Sequence, residues 1–288
     1  MRATESGLDL HSSRVLIIGL GLMGGSLALA LKGKCRSVTG IDTNVETCEM
    51  AVVQQIVDDA WLQLDSRAAE MDVIILATPV DGILDYLEKL PPFLNPEKSY
   101  LVMDLGSTKQ LITTKMETLP ANILTVGCHP ICGKENLSLR NAERTLYFGA
   151  PFLVTRTSRT NDSVMGFLRE LGDELGVKLV ELDAGYHDTV LANVSHLPYL
   201  VSTALVMATP GEIAPFIGPG FRSTSRLAGT ASSMMMSIIQ SNRENILANL
   251  EKLNDELAYL TSCIAENDVD GLRTYLDMAR ENYSKLKG

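Results

Sequence analysis

The sequence predicts an α/β chain in which a doubly wound parallel sheet is followed by an all-helical domain. Short apolar runs alternate with helical segments up to about residue 182, and only helical patterns remain after that point. Strand, helix and strand in succession are typical of a parallel sheet that helices cover on both faces. The predicted boundaries are a disordered lead-in over residues 1–13, a sheet domain over 14–182 and a helical domain over 183–288.

The predicted strands are rich in Val, Ile and Leu with few polar interruptions. Strands that are buried on both faces favour such continuous runs over alternating ones. In chain order the runs are RVLIIG, SVTGID, DVIILATP, YLVMDLG, ILTVG, PFLVT and VKLVEL. The helical segments between them are LMGGSLALALKG, VETCEMAVVQQ, DGILDYLEKL, QLITTKMETL and SVMGFLRELGDEL.

The helical domain contains three helical patterns, with the Gly/Pro-rich linker TPGEIAPFIGPGF between the first two. Their apolar surface is larger than a helical domain of roughly 100 residues can hide by itself. A homodimer that shares these helices is the favoured prediction, which makes this a dimerisation domain. The alternative is a monomer in which the helices pack against the sheet domain.

Composition restricts the partners of the chain. The formal net charge of −10 argues against a nucleic acid, whose phosphates need a basic face. No run of about 18 uncharged apolar residues is evident, so no membrane partner is expected. The polar N-terminus lacks the apolar centre of a signal peptide, and the five cysteines form no repeating frame. A cytoplasmic protein is therefore expected.

A glycine pattern after the first strand indicates a dinucleotide site of the Rossmann type. Gly19, Gly21 and Gly24 form G-x-G-x-x-G between the strand and the following helix. The first glycine allows a tight turn, the second admits a pyrophosphate and the third lets the helix approach the strand. The N–H groups at the helix start, near Leu22 and Met23, are expected to be free to face that anion.

The second strand ends in Asp42, about 20 residues beyond the glycines, where this fold holds the ribose. A carboxylate there bonds the ribose hydroxyls and repels a 2′-phosphate, and neither Thr43 nor Asn44 is an arginine that could hold one. The sequence therefore predicts NAD as the cofactor, with Thr78 as a further contact. The alternative is a glycine-rich turn without a ligand.

Polar residues follow three strands at the edge where the glycine loop is expected. Thr78 ends one of these runs, Ser107 follows YLVMDLG and His129 follows ILTVGC. Because ligands bind beyond the carboxyl ends of parallel strands, Ser107 and His129 are predicted to lie near the reactive ring of the cofactor. The alternatives are that Ser107 caps the next helix, that Lys109 is solvated and that His129 is a satisfied core histidine.

The segment CHPIC, residues 128–132, raises the alternative of a metal site. A structural zinc has four ligands, usually in two close pairs, and the other three cysteines are scattered. No metal is predicted, and Cys128 is expected to point into the core as a small hydrophobe.

Four side chains stand out in the helical domain: His187, His196, Arg222 and Arg226. His196 precedes Leu-Pro inside an otherwise apolar helix, where a proline costs stability, so a role in a site is predicted. Arginine binds carboxylates through two parallel hydrogen bonds, although a surface ion pair is the ordinary alternative.

Together these stretches resemble the prephenate/arogenate dehydrogenase family, the TyrA-type enzymes of tyrosine biosynthesis. The matching stretches are GLGLMGGSLALAL, GID, ATPV, DLGSTK, HPICGKE, SHLPYL and FRSTSRLA, in the order of the family. The resemblance implies a Rossmann domain that binds NAD or NADP and a helical dimerisation domain. It also implies oxidative decarboxylation of prephenate to 4-hydroxyphenylpyruvate, with reduction of NAD.

The resemblance implies roles for five residues. His129 would be the base that draws on the C4 hydroxyl of prephenate, and Ser107 would bond that hydroxyl or His129. Arg226 would bind a substrate carboxylate, and His196 would line the pocket from the helical domain. Glu135 would lie near the substrate side chain.

Departures from the family pattern leave the substrate open. Many relatives read SHLPH where this chain has Tyr199, and many have a tryptophan where this chain reads ASSMMMS. Arogenate, with an amino group in place of the keto group, is therefore the alternative substrate. A β-hydroxyacid dehydrogenase or imine reductase is disfavoured because no lysine occurs between Lys178 and Lys252. A dinucleotide-binding sensor without turnover would not need the catalytic residues.

Overall fold

The computed structural model describes residues 8–134 and 136–287, and eight strands of the first half form one sheet. The strands are β1 (Arg14–Ile18), β2 (Ser37–Ile41), β3 (Asp59–Trp61), β4 (Val73–Leu76), β5 (Tyr100–Asp104), β6 (Ile123–Pro130), β7 (Pro151–Arg156) and β8 (Lys178–Glu181). All of them except β3 coincide with predicted runs. β3 escapes prediction because three residues are too few to show a period.

The strand order is β3-β2-β1-β4-β5-β6-β7-β8, which confirms the predicted doubly wound sheet. β1 to β6 are parallel to their neighbours in this group. β7 is antiparallel to β6, and β8 is parallel to β7, so the expectation of a parallel sheet is wrong for these two strands. A parallel return needs a long crossover, usually a helix. The described residues between β6 and β7 contain only the one-turn helix Leu139–Asn141.

Among residues 8–134 and 136–182, five α-helices cover the two faces of the sheet. They are α1 (Leu22–Leu31), α2 (Val45–Val53), α3 (Val80–Lys89), α4 (Gln110–Met116) and α5 (Asp162–Leu175). Successive residues of a strand point to opposite faces. Ile17 accordingly packs in one apolar cluster with α1 and α5, whereas Leu16 packs in another with α3 and α4. Burial on both faces accounts for the continuous apolar strands.

Six α-helices follow β8 within the described part of the chain. They are α6 (Ala184–Leu191), α7 (Leu197–Met207), α8 (Pro219–Ser225), α9 (Ser232–Ser241), α10 (Arg243–Ala265) and α11 (Val269–Leu286). The π-helical turn Ala192–His196 joins α6 to α7. The longest predicted helix divides at Asn242 into α9 and α10. The Gly/Pro-rich linker contains the short 3₁₀ helix Gly211–Phe216 and the first residues of α8.

The helical half leaves much apolar surface uncovered. Only Ile246, Asn249 and Cys263 of α10 are buried, and none of the described residues of α11 is. Most of the exposed large apolar side chains in the described ranges lie in this half. An apolar face of this kind is typical of a surface that a partner covers.

One helical stretch, Ala184–Met207, is long and apolar enough to cross a bilayer by length and composition alone. The stretch contains Asp188, two histidines and other polar residues, so it differs from the run of about 18 uncharged apolar residues that the sequence lacks. Two ionisable residues of this stretch, His187 and Asp188, are buried and hydrogen-bond to the sheet half of the chain. Paired polar side chains of this kind tie α6 to the neighbouring domain.

The ordered chain starts earlier than predicted. Residues 1–7 of the expected disordered lead-in lie outside the described residues. Leu10 is buried in the same apolar cluster as α5, and its N–H donates to Oε2 of Glu170 over 2.9 Å. The N–H of Leu8 donates to Oγ of Ser163 over 3.0 Å. Residues 8–13 are therefore packed rather than disordered, because Leu10 gains burial there.

Two glycines let α1 begin directly behind β1. Gly19 has a φ of 99°, and a Cβ at this position would lie 2.7 Å from the carbonyl oxygen of Ala77. A Cβ on Gly24 would collide with the carbonyl oxygen of Gly19. The first position needs glycine for its left-handed turn, and the second needs it for the close approach of helix and strand.

Replacing Gly24 with alanine is expected to lower the free energy of unfolding by about 3 kcal/mol, because the added methyl group pushes α1 away from β1. The control is Gly166→Ala in α5, where a Cβ meets nothing within 4 Å. That control should gain roughly 1 kcal/mol because alanine favours a helix. Urea denaturation measures both values. A Gly24→Ala protein as stable as the wild type would contradict the close approach.

Candidate active site

A cavity of about 410 Å³ lies at the carboxyl ends of β1, β2, β4 and β5. The loops after these strands form one wall, and α9 of the helical half forms another through Ser233, Met234, Ser237 and Ile238. Ser233, Met234 and Ser237 belong to the stretch ASSMMMS, where many relatives have a tryptophan. The predicted cofactor residues that line the cavity are Gly19, Gly21, Leu22, Met23, Asp42 and Thr78. Gly24 is outside the lining because it packs against Gly19.

Hydrogen bonds from two backbone N–H groups orient the carboxylate of Asp42. Its Oδ2 accepts the N–H of Leu20 over 3.0 Å, and its Oδ1 accepts the N–H of Asn44 over 2.9 Å. Each oxygen of a carboxylate has two lone pairs, so both can accept a further hydroxyl. The carboxylate therefore faces the cavity with capacity for a diol and with a charge that repels a phosphate.

The start of α1 differs from the expectation of free N–H groups. The N–H of Leu22 donates to the carbonyl oxygen of Leu137 over 2.7 Å, and Leu137 also lines the cavity. The long connection between β6 and β7 thus caps the helix. A pyrophosphate at this helix start would compete with Leu137 for the N–H of Leu22.

A buried carboxylate connects the loop that carries Ser107 to the strand that carries His129. Asp104 at the end of β5 accepts the N–H of Gly106 over 2.7 Å and the N–H of Cys128 over 3.2 Å. These donors immediately precede Ser107 and His129 in the chain. The ammonium group of Lys109 pairs with the same carboxylate, and Lys109 is fully buried. The alternative that Lys109 is solvated is therefore wrong.

Ser107 lines the cavity and does not cap a helix. α4 begins at Gln110, and its first N–H groups are bonded from the helical half. Asp188 of α6 accepts the N–H of Lys109 over 2.7 Å and that of Gln110 over 2.9 Å. Because Asp188 caps α4, the side chain of Ser107 is left on the cavity side of the loop.

His129 is near the end of β6, where it pairs in register with Leu153 of β7. Its ring is partly exposed, and its Nδ1 lies 3.0 Å from Nε2 of His187. Burial, followed by repulsion from His187 and Lys109, holds the pKa of His129 well below its usual range. The ring is therefore neutral at neutral pH and can accept a proton.

The preceding residue, Cys128, points into the opposite side of β6. It is fully buried in the apolar cluster that contains α1 and α5. Burial raises the pKa of its thiol. The interpretation of Cys128 as a small core hydrophobe is confirmed.

His187 and Asp188 are site residues that sequence reasoning misses. His187 stands out in the sequence without a role, and Asp188 does not stand out at all. Nδ1 of His187 lies 2.8 Å from Oδ1 of Asp188, and both residues are buried. The signal available in the sequence is an adjacent His-Asp pair inside the otherwise apolar helix AGYHDTVLANV.

His196 is buried rather than exposed in the cavity. Its Nδ1 lies 3.3 Å from Nδ2 of Asn242, and that amide donates to the carbonyl oxygen of Asp188 over 2.7 Å. Burial lowers the pKa of His196 to about 4. His196 thus belongs to the polar network behind the cavity, and it is not among the residues that line it.

The other two predicted substrate residues are Arg226 and Glu135. Arg226 is exposed, in the one-turn helix Arg226–Gly229, and it is not part of the cavity lining. Glu135 lies outside the described residues. The structure therefore brings together Ser107 and the cofactor residues at the cavity, and joins His129 to them through Asp104.

Two protein-family descriptions match this chain. Residues 27–181 match "Prephenate dehydrogenase, nucleotide-binding domain", and residues 183–278 match "Prephenate dehydrogenase, dimerization domain". The two matches cover most of the sheet half and nearly all of the helical half. The first match begins beyond the glycine loop, so the glycine pattern is evidence independent of it.

Individual proteins are similar over nearly the whole chain. The prephenate dehydrogenase of Bacillus subtilis (strain 168) is 29% identical over 276 residues, which are 93% of this chain and 74% of that protein. The crystal structure of the Aquifex aeolicus prephenate dehydrogenase with hydroxyphenyl propionate and NAD+ is 27% identical, with a TM-score of 0.85 over 97% of this chain and 100% of that one. The Synechocystis arogenate dehydrogenase is 31% identical, with a TM-score of 0.79 over 95% of this chain and 99% of that one.

The lowered pKa of His196 predicts a loss of stability in acid. Between about 6.5, the ordinary pKa of histidine, and the folded value of about 4, the unfolded chain binds a proton that the folded chain does not. Folding is therefore disfavoured as the pH falls through this window, by roughly 2 kcal/mol between pH 7 and pH 5.

Urea denaturation of the wild type and of His196→Asn at both pH values tests this expectation. The variant should lose less stability in acid than the wild type. His11→Asn is the matched control, because His11 is exposed. An acid loss in His196→Asn as large as that of the wild type would contradict the assignment.

Proposed function

The chain belongs to the prephenate dehydrogenase family, and on this premise we propose that it oxidatively decarboxylates prephenate to 4-hydroxyphenylpyruvate with NAD, a step of tyrosine biosynthesis. It is an NAD-dependent oxidoreductase. The observation that carries the proposal is the Asp104 carboxylate, which holds the residues before Ser107 and His129 together beside a dinucleotide cavity. This arrangement brings a neutral base to the carboxyl edge of the sheet, where such folds bind their ligands.

The residues around the cavity fit NAD. Gly19 and Gly21 line the cavity without side chains, so the backbone can approach the pyrophosphate there, and Asp42 offers its oxygens to the ribose hydroxyls. Gly21, Leu22, Met23 and Thr78 supply the remaining wall. When bound, NAD supplies the acceptor for the hydride that leaves C4 of the ring. The chain itself binds and orients the reactants and excludes water.

His129 takes the proton of the C4 hydroxyl in this proposal. Because its pKa is held low, the ring is unprotonated at neutral pH and presents a lone pair. Ser107 hydrogen-bonds the same hydroxyl or His129 and restricts the angle of approach. The ring carboxylate departs as carbon dioxide, and the electrons of that bond complete the aromatic ring. Aromatisation supplies the driving force, so orientation and proton removal are the tasks of the protein.

Substrate recognition is assigned to residues of the helical half and of the long connection. Arg226 is proposed to bind a carboxylate of the substrate, since a guanidinium donates two parallel hydrogen bonds to that group. Glu135 is proposed to lie near the substrate side chain. His196 is proposed to act from behind the pocket, since it is buried and bonded to Asn242.

Arogenate is the second candidate substrate. The arogenate dehydrogenase of Synechocystis resembles this chain at 31% identity over nearly its full length. The two substrates differ only in the side chain, which is a keto acid in prephenate and an amino acid in arogenate. A carboxylate such as Glu135 near that end would favour the ammonium group of arogenate. Tyr199, where many relatives have histidine, is a further difference in this region.

A homodimer through the helical half is the proposed assembly. The chain contains a dimerization domain, and α10 and α11 carry exposed apolar side chains that a second copy would cover. Leu276, Met278 and Tyr283 of α11 are each more than half exposed.

The five cysteines, all in the described ranges, are present as free thiols. Free thiols fit a cytoplasmic enzyme.

Turnover with each substrate and each cofactor tests the function. Purified protein is mixed with prephenate or arogenate and with NAD or NADP, and reduced cofactor is followed by absorbance. We expect formation of NADH with prephenate and a smaller rate with NADP. Turnover with arogenate alone would select the second candidate. A folded protein that reduces neither cofactor with either substrate would contradict the proposal.

His129→Asn should lower kcat by roughly a hundredfold or more, because the base is lost, while NAD binding persists. His11→Asn serves as the control and should keep full activity. In the wild type, kcat/KM should hold from pH 8 down past about 6.5 and fall only below it, since the pKa of His129 is lowered. Unchanged turnover of His129→Asn would refute its role as the base.

A further inference from the structure

A buried chain of side chains leads from His129 into the helical half. Nδ1 of His129 faces Nε2 of His187 at 3.0 Å, and Nδ1 of His187 faces Oδ1 of Asp188 at 2.8 Å. His187 and Asp188 are both buried. Two of these three residues have no part in the proposed chemistry so far, although burying ionisable groups costs stability unless they are paired.

The partners determine where the hydrogens lie. Both oxygens of Asp188 already accept backbone N–H groups, from Lys109 and Gln110, so Asp188 acts as an acceptor. Nδ1 of His187 must then carry a hydrogen and donate it to Asp188. In neutral imidazole the other nitrogen has a lone pair, so Nε2 of His187 accepts from Nδ1–H of His129. Nε2 of His129 is therefore left without a hydrogen.

We propose that His187, held by Asp188, is a positioning residue that fixes the ring and the tautomer of His129, so that Nε2 of His129 accepts the proton of the substrate hydroxyl. This inference rests on the proposed function. A carboxylate plays the equivalent part for a catalytic histidine in serine proteases, where the wrong tautomer abolishes most of the activity. Here a second imidazole stands between the carboxylate and the base.

The surrounding charges agree with this arrangement. Lys109 faces the pair from the start of α4, and its ammonium group is neutralised by Asp104. From the π-helical turn, His196 is bonded to Asn242 and is neutral. When His129 gains a proton at Nε2, its Nδ1–H still donates to His187, which in turn donates to the carboxylate of Asp188.

Two amide substitutions at His187 separate its two hydrogen bonds. A glutamine amide extends to about the position of Nε2 and can accept from His129, but it loses the bond to Asp188. An asparagine amide reaches about the position of Nδ1 and can donate to Asp188, but it offers nothing to His129. The two variants are matched in polarity, and His11→Asn controls for the loss of a histidine at an exposed site.

We expect His187→Asn to lower kcat by about fiftyfold, within the range that misorientation of an active-site histidine costs, and His187→Gln to recover to within about fivefold of the wild type. KM for the substrate and the Kd for NAD should change by no more than about threefold in both. Equal activity of the two variants, or a loss that appears in KM or in NAD affinity, would overturn the proposal. Absence of turnover in the wild type would instead refute the proposed function.

Nitrogen NMR of the wild-type histidine rings gives a test that needs no turnover. The chain has four histidines, so His11→Asn, His129→Asn and His196→Asn assign three signals and leave the fourth to His187. The proposal predicts that His129 and His187 both carry their hydrogen on Nδ1, whereas His196, whose Nδ1 faces the Asn242 amide, carries it on Nε2. A hydrogen on Nε2 of His129 in the free enzyme would overturn the proposal.

Discussion

The carboxylate of Asp188 is the interaction on which the site depends. It belongs to the helical half of the chain. It accepts the backbone N–H groups of Lys109 and Gln110 at the start of α4, which lies in the sheet half, and its Oδ1 also accepts a hydrogen bond from Nδ1 of His187. A buried carboxylate is stable only where its oxygens are satisfied, so these donors and their geometry must be kept together. One side chain thereby joins the two halves at the place where the loop after β5 and the end of β6 meet.

A second buried carboxylate, that of Asp104, restrains the loop that carries Ser107. Asp104 pairs with the ammonium group of Lys109 and bonds the backbone beside Ser107 and His129, while the backbone N–H of Lys109 bonds Asp188. Lys109 is therefore held at both its side chain and its backbone. Because catalytic groups act only within narrow limits of distance and angle, this double restraint is what the chemistry requires of the fold.

Local patterns predict most of the fold and the cofactor wall. Continuous apolar runs mark every strand except the three-residue β3, and the spacing from Gly19 to Asp42 identifies residues that line the cavity. The reversed direction of β7 was missed because nothing local shows whether a long connection crosses over the sheet. Local patterns do not show the role of Asp188, because the N–H groups of Lys109 and Gln110 that it accepts are distant in the sequence and lie in the other half. They do not show the burial of Lys109 either, although its ion-pair partner, Asp104, is only five residues away. The hydrogen bond from the N–H of Leu22 to the carbonyl oxygen of Leu137 is also not visible in local patterns, because the two residues are distant in the sequence.

A crystal structure with NAD and 4-hydroxyphenylpyruvate tests the account most directly, because it shows which side chain meets the oxygen that loses its proton. The account predicts that the ring hydroxyl lies within about 3 Å of Nε2 of His129, with Nδ1 of that ring still bonded to His187. A product bound in the cavity with its hydroxyl on another group, and without contact to His129, would contradict it.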